Sequence, residues 1–176
     1  FSHRMDHVIV NPSWYVPPSI LRKEFIPGLA ADPDYAAKRG YVVTRTKGGG
    51  ISVRQPPGER NALGWIKFMF PNDHAVYLHD TPNRRLFAQE RRAFSHGCVR
   101  VDNPFQLADQ VLGPEWTHER LKRLIGSGER RINLPQPLAI HLVYNTHVVG
   151  ADGSLTTFED LYGFHRMVRQ ALEQRG

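Results

Sequence analysis

The sequence predicts a mixed domain, mainly β with appended helices (α+β). Three observations predict it. Short β-branched or alternating runs fill the middle of the chain: Tyr41-Val42-Val43-Thr44, Gly64 to Phe70, Ala75 to His79 and Val99 to Val101. Turn-forming clusters separate them, at Gly48-Gly49-Gly50, Pro56-Pro57-Gly58 and Pro71-Asn72-Asp73. Helical patterns lie mostly in the second half and do not alternate regularly with the strands. Strands that dominate the middle with helices appended give a mixed class, α+β or mainly β.

Taken in order, residues 11–35 carry Pro12, Pro17, Pro18, Pro27 and Pro33, so helices there are expected to be short. Asp32-Pro33-Asp34 predicts a short helix through Lys38, stopped by Gly40. In the run Ala75 to His79, alternation places Ala75, Tyr77 and His79 on one face. Asn103-Pro104 reads as a helix cap and first turn, with Leu107, Val111 and Leu112 as the apolar stripe and Gly113 as the stop. Trp116, Leu121, Leu124 and Ile125 predict a second helix, ended by Gly126. Leu138 to Val149 is the best long strand, turning at Ala151-Asp152-Gly153 into Leu155 to Phe158. A last helix is expected over Asp160 to Gln174.

At 176 residues the chain suits one domain with a sizeable core. No apolar stretch approaches the ~20 residues that span a bilayer. A single cysteine excludes an internal disulfide framework and any multi-cysteine metal site. The net charge of +6 favours an anionic partner such as a nucleic acid, an acidic membrane face or a polyanionic wall. No RNA- or DNA-binding motif stands out, so charge alone speaks for nucleic acid. His3 and His7 have a spacing that suits zinc on a helix, but a solvated strand or tail is the simpler reading. No metal or cofactor is expected.

The chemistry concentrates in Ser95-His96-Gly97-Cys98-Val99-Arg100 and in Tyr77-Leu78-His79-Asp80-Thr81-Pro82. The reactive form of cysteine is the thiolate, and a neighbouring imidazole makes it available near neutral pH. Gly97 lets the backbone turn tightly beside Cys98 and leaves N–H groups free to face a developing oxyanion. Arg100, two residues on, can stabilise the thiolate or bind a substrate carboxylate; a structural ion pair is its plain alternative. His96 and His79 compete for the role of base. The strand end at His79, with Asp80 available as an orienting carboxylate or carbonyl, favours His79.

These two runs resemble the signature of the YkuD-type L,D-transpeptidases, and the Tyr77 to Pro82 form resembles the larger Gram-negative, YcbB-like branch. Asn11-Pro12-Ser13-Trp14, Gln55-Pro56-Pro57-Gly58 and Asn61-Ala62-Leu63-Gly64 add to the resemblance, with weaker support at Pro137 to Tyr144 and Asp160 to Gly163. The resemblance covers nearly the whole chain and is strongest over residues 55–113. It implies a β-sandwich catalytic domain in the periplasm of a Gram-negative cell, inhibited by carbapenems. It implies that Cys98 is the nucleophile, His79 the base and the Asp80 carbonyl its orienter. Gly97 and Tyr77 would line the oxyanion hole. His96, Arg100, Ser95 and Trp14 would support the site or bind substrate.

The substrates so implied are peptidoglycan stems: a tetrapeptide donor that loses its terminal D-alanine, and a diaminopimelate acceptor joined in a 3→3 cross-link. Water or a protein lysine as acceptor would give a carboxypeptidase or a protein anchor instead. A wall-binding module without catalysis is disfavoured by the intact His79 and Cys98. The start at Phe1 fits an excised single catalytic domain, 1–176, with a short lid-like region at about 41–58.

Overall fold

A computed structural model describes residues 1–174. Ten strands and five α-helices follow one another as β1 (Ser2–Val10), β2 (Trp14–Tyr15), α1 (Pro18–Ile20), α2 (Ile26–Ala31), β3 (Val42–Arg45), β4 (Ile51–Gln55), β5 (Ile66–Met69), β6 (Leu78–His79), β7 (Val99–Arg100), α3 (Pro104–Leu112), α4 (His118–Lys122), β8 (Arg130–His141), β9 (His147–Val149), β10 (Leu155–Thr157) and α5 (Phe164–Glu173) among the described residues. Helix and strand each account for 26% of the chain, so the expectation of a mainly β domain is corrected to an even α+β mixture.

Alternation in β5 organises the larger unit, His3–Ile140. Ile66, Phe68 and Phe70 are fully buried, whereas Lys67 and Met69 are half-buried on the other face. Val8 and Val10 of β1, which pair with Phe68 and Ile66, extend the buried layer. Burying such a side chain is worth about 1.5–3 kcal/mol. The resulting sheet has the order β7-β6-β5-β1-β8. β5 pairs antiparallel with both β1 and β6, and β6 pairs parallel with β7.

A second sheet, β2-β4-β3, covers a separate core of Val16, Ile20, Phe25, Ala36 and Val53. The expected lid-like stretch forms its β3–β4 hairpin, and Val53 of β4 anchors that hairpin in the core. The smaller unit comprises Phe1–Ser2 and the described residues from His141 onward. In it β9 and β10 form a hairpin. Tyr144 donates its hydroxyl to Asp160 at 2.7 Å and packs edge-on against Phe164.

Several elements differ from the sequence expectation for identifiable reasons. The stretch from Pro18 to Ala31 is continuously helical, longer than its prolines suggest. A π-helical turn, Leu21–Phe25, ends two residues before Pro27 and provides the local unwinding that a proline in a helix requires. The strand expected to begin at Leu138 begins at Arg130 and ends at His141. Pro135 and Pro137 are tolerated because β8 is an edge strand and needs no ladder donor on its outer side. Ala75 is not in a strand; its φ is +51°. The Asn72 side chain holds residues 70–76 in a turn: it donates to the Phe70 and Val76 carbonyls at 2.7 and 2.8 Å and accepts from the His74 and Val76 amides. In α3 the buried stripe is Phe105, Ala108 and Leu112, with Leu107 and Val111 at its margin.

Candidate active site

Asp80 is the fixed point beside which His79 is held. Its side chain is 2% exposed, and its carboxylate accepts from the Trp65 amide at 2.8 Å, the Thr81 amide at 2.6 Å and Arg84 Nη2 at 2.6 Å. Arg84 also donates to the backbone carbonyls of Val101 and Asp102, which follow β7. Gly64, at φ +60°, lets the backbone pass so close that a Cβ there would lie 2.4 Å from the Asp80 carboxyl carbon. Charge, two amides and a steric cradle therefore leave Asp80 one position.

His79 follows from that placement. It ends β6 and is buried, and its Nδ1 lies 2.5 Å from the Asp80 carbonyl oxygen. A carbonyl only accepts, so Nδ1 carries the proton and Nε2 of the neutral ring presents a lone pair. Burial holds the His79 pKa below the ordinary value of 6.5; the Asp80 carbonyl and carboxylate oppose this, and Arg100 and Lys67 reinforce it. The imidazole is thus neutral and basic in the physiological range.

Cys98 stands where the chain enters β7. The parallel register sets Leu78 against Val99 and His79 against Arg100, and Val99 N–H donates to the Tyr77 carbonyl at 2.9 Å. Cys98 therefore lies alongside Tyr77, two residues back from the pair that carries His79 and Arg100. It is free and half-exposed. The preceding turn is built by Gly97, at φ +132°, and by Ser95, whose hydroxyl donates to the Cys98 carbonyl at 2.6 Å and accepts from the Gly97 amide at 3.1 Å. The Cys98 thiol lies 3.8 Å from the Ala75 carbonyl. A neutral imidazole, a thiol on the adjoining strand and a glycine turn beside that thiol are the elements that nucleophilic acyl transfer needs.

Tyr77 packs against Phe70 with ring centroids 6.2 Å apart. Arg100 is half-buried, and its Nε is buried without a partner among the described residues. His96 is exposed on the loop before Cys98. Trp14 lies elsewhere in the larger unit, in β2, edge-on to Tyr41 at 6.0 Å and against the second core. The structure thus places His79 and Arg100 on the paired strands β6 and β7, with Tyr77, Asp80 and Cys98 directly flanking them, and places Trp14 in another sheet.

Lys67 was not singled out by sequence reasoning. It is the register partner of His79 on β5, and its Nζ lies over the Tyr77 ring at 4.0 Å. Its position as the one cation in an alternating strand was the available signal. Asn61 was read only as part of a motif. It is fully buried, donates to the Pro12, Gln55 and Pro56 carbonyls at 2.9–3.2 Å and accepts from the Leu63 amide. Asn11, at φ +52°, ties the carbonyls of Leu124 and Gly128 and the amide of Gly126 to the start of the chain. His3 and His7, whose spacing suits zinc on a helix, lie in strand β1.

The chain belongs to the L,D-transpeptidase catalytic domain family, YkuD, which it matches over residues 1–149. It is 32% identical over 188 aligned positions to a protein of Haemophilus influenzae named "Putative L,D-transpeptidase", an alignment that covers 96% of this chain and 38% of that relative. The chain thus spans well under half the length of the curated relative it matches.

Proposed function

We propose that the domain transfers a peptidoglycan stem acyl group through Cys98. Neutral His79 takes the thiol proton at Nε2 while Sγ attacks the carbonyl of the third residue of a tetrapeptide stem. The sulfur–carbon bond forms and the oxyanion is met by the Cys98 amide, with Tyr77 at the edge of the hole, while the Gly97 amide holds the Ser95 hydroxyl. The carbon–nitrogen bond to the terminal D-alanine then breaks, and His79 returns the proton to the leaving amine. In the second half the side-chain amine of a diaminopimelate on another stem attacks the thioester. A new amide forms, the carbon–sulfur bond breaks, and the amine's surplus proton leaves through His79 to regenerate the thiol. The product is a 3→3 cross-link in the envelope of a Gram-negative cell, and the periplasm is where such stems are met.

The observation that carries this reading is His79 itself, a buried imidazole whose Nδ1 is occupied by a backbone carbonyl, on the strand paired directly to the one that Cys98 enters. His96, Ser95 and Arg100 shape or charge the surroundings of the thiol. The test is incubation with a purified tetrapeptide stem and mass analysis of the products. Release of D-alanine with a cross-linked dimer is expected; tripeptide alone would replace transfer by hydrolysis, and no D-alanine release would sink the reading.

A further inference from the structure

Lys67, His79 and Arg100 line up across β5, β6 and β7, because Lys67 pairs with His79 and His79 with Arg100. Residues two apart on a strand share a face, so Met69 and Tyr77 continue that face beside Cys98. The face thus has a cation on each side of the histidine. Neither cation forms an ion pair with a carboxylate among the described residues. Lys67 is half-buried and rests over the Tyr77 ring at 4.0 Å. Burial pushes the Lys67 pKa down, opposed by the Cys98 thiol and by Glu129, and the Glu129 carboxylate is engaged by the Ser13 amide at 2.7 Å. Arg100 keeps a buried Nε with no acceptor among the described residues.

Two half-buried positive charges without a counter-charge are costly, and a lysine over an aromatic face is only partly compensated. His79 cannot offset them, since its neutral ring carries no charge. Such a face is arranged for an anion supplied from outside the chain. The anion must fit between a point charge and a planar guanidinium, beside a thiol, and a carboxylate does so.

We propose that Lys67 and Arg100 form a two-pronged carboxylate receptor beside Cys98, with Lys67 selecting acyl donors that carry a free carboxylate next to the bond being broken. The identity of that bond rests on the acyl-transfer reading above; the receptor itself does not. In a stem tetrapeptide the carboxylate is either that of the terminal D-alanine or that of the diaminopimelate side chain. Lys67 leaves the Tyr77 ring to meet it, and Arg100 Nε gains the acceptor it lacks.

The test compares alkylation of Cys98 by iodoacetate and by iodoacetamide, followed by intact mass in the wild type, Lys67→Met and Lys67→Arg. Both reagents attack the same thiolate at one pH, so the ratio of their rates cancels the thiolate fraction and reports recognition of the carboxylate. Lys67→Met should lower the iodoacetate-to-iodoacetamide ratio about 5-fold or more, and Lys67→Arg should keep it within about 2-fold of wild type. An unchanged ratio in a Lys67→Met protein of wild-type melting temperature would overturn the receptor. Lys67→Gln repeats the comparison should the methionine variant fold poorly.

A second arm uses three tetrapeptides: the free acid, the D-alanine amide and the diaminopimelate side-chain amide. Lys67→Met should raise KM for the free acid more than it lowers kcat. Whichever amide already turns over poorly in the wild type, and loses nothing further in the variant, identifies the carboxylate that Lys67 reads. If the wild type turns over no tetrapeptide, the acyl-transfer reading fails while the alkylation ratio still decides the receptor.

Discussion

Asp80 has two tasks that its two oxygen-bearing groups divide. The carboxylate is consumed by structure, through the Trp65 and Thr81 amides and Arg84; the backbone carbonyl meets His79. Truncation should therefore harm the fold first and the site through it. Asp80→Ala leaves Arg84 without its buried partner and is expected to cost about 3 kcal/mol in chemical denaturation. His79 makes a prediction of the opposite kind. Its folded pKa lies below 6.5, chiefly through burial, so the neutral base survives to lower pH than an ordinary histidine. The acid limb of kcat/KM should fall below pH 6.5, and a midpoint at or above that value would contradict a buried base. Stability shifts in the same window. Below pH 6.5 the unfolded chain takes up a proton that the native ring refuses, so unfolding free energy drops as pH falls from 6.5 towards the native pKa and then levels off. Urea titrations of wild type and His79→Gln across that range isolate the contribution.

At the scale of elements, what was legible in the sequence is what local patterning controls. The alternation of β5 separated core from site face, Gly113 ended α3, and Ala151-Asp152-Gly153 turned β9 into β10, whereas α4 stops at Lys122, so Leu124 and Ile125 lie in the turn before Gly126 rather than in the expected helix. What was not legible depends on partners distant in sequence. Pro135 and Pro137 disguise β8 because edge position is a property of the assembled sheet. Ala75 looks like strand until the four bonds of the Asn72 side chain are known. At the site, His79, Asp80, Gly97 and Cys98 were readable from their motifs, whereas Lys67 acquires meaning only through the register that sets it against His79. Asn61 shows the same limit. It clamps the Pro12 carbonyl to the end of β4, so it joins two segments that have no pattern in common. Asn61→Ala strands several buried backbone groups and is expected to destabilise the protein by about 2–4 kcal/mol in thermal or chemical melts, where a surface asparagine would cost almost nothing.

For the whole molecule, the larger unit holds every residue of the candidate site, from Lys67 to Arg100. The net charge of +6 fits the anionic stems of the proposed reaction, and in the proposed receptor Lys67 and Arg100 carry that preference to the bond being broken. The proposed activity and the proposed receptor both turn on one atom, the sulfur of Cys98. The most direct test is intact-mass spectrometry of the wild type and Cys98→Ala after exposure to a tetrapeptide stem and, separately, to a carbapenem. A covalent adduct on the wild type alone is predicted, with the stem adduct lighter than the tetrapeptide by one D-alanine. An adduct of the same mass on Cys98→Ala would place the acyl group on another residue, and no adduct together with no D-alanine release would show that Cys98 does not transfer acyl groups.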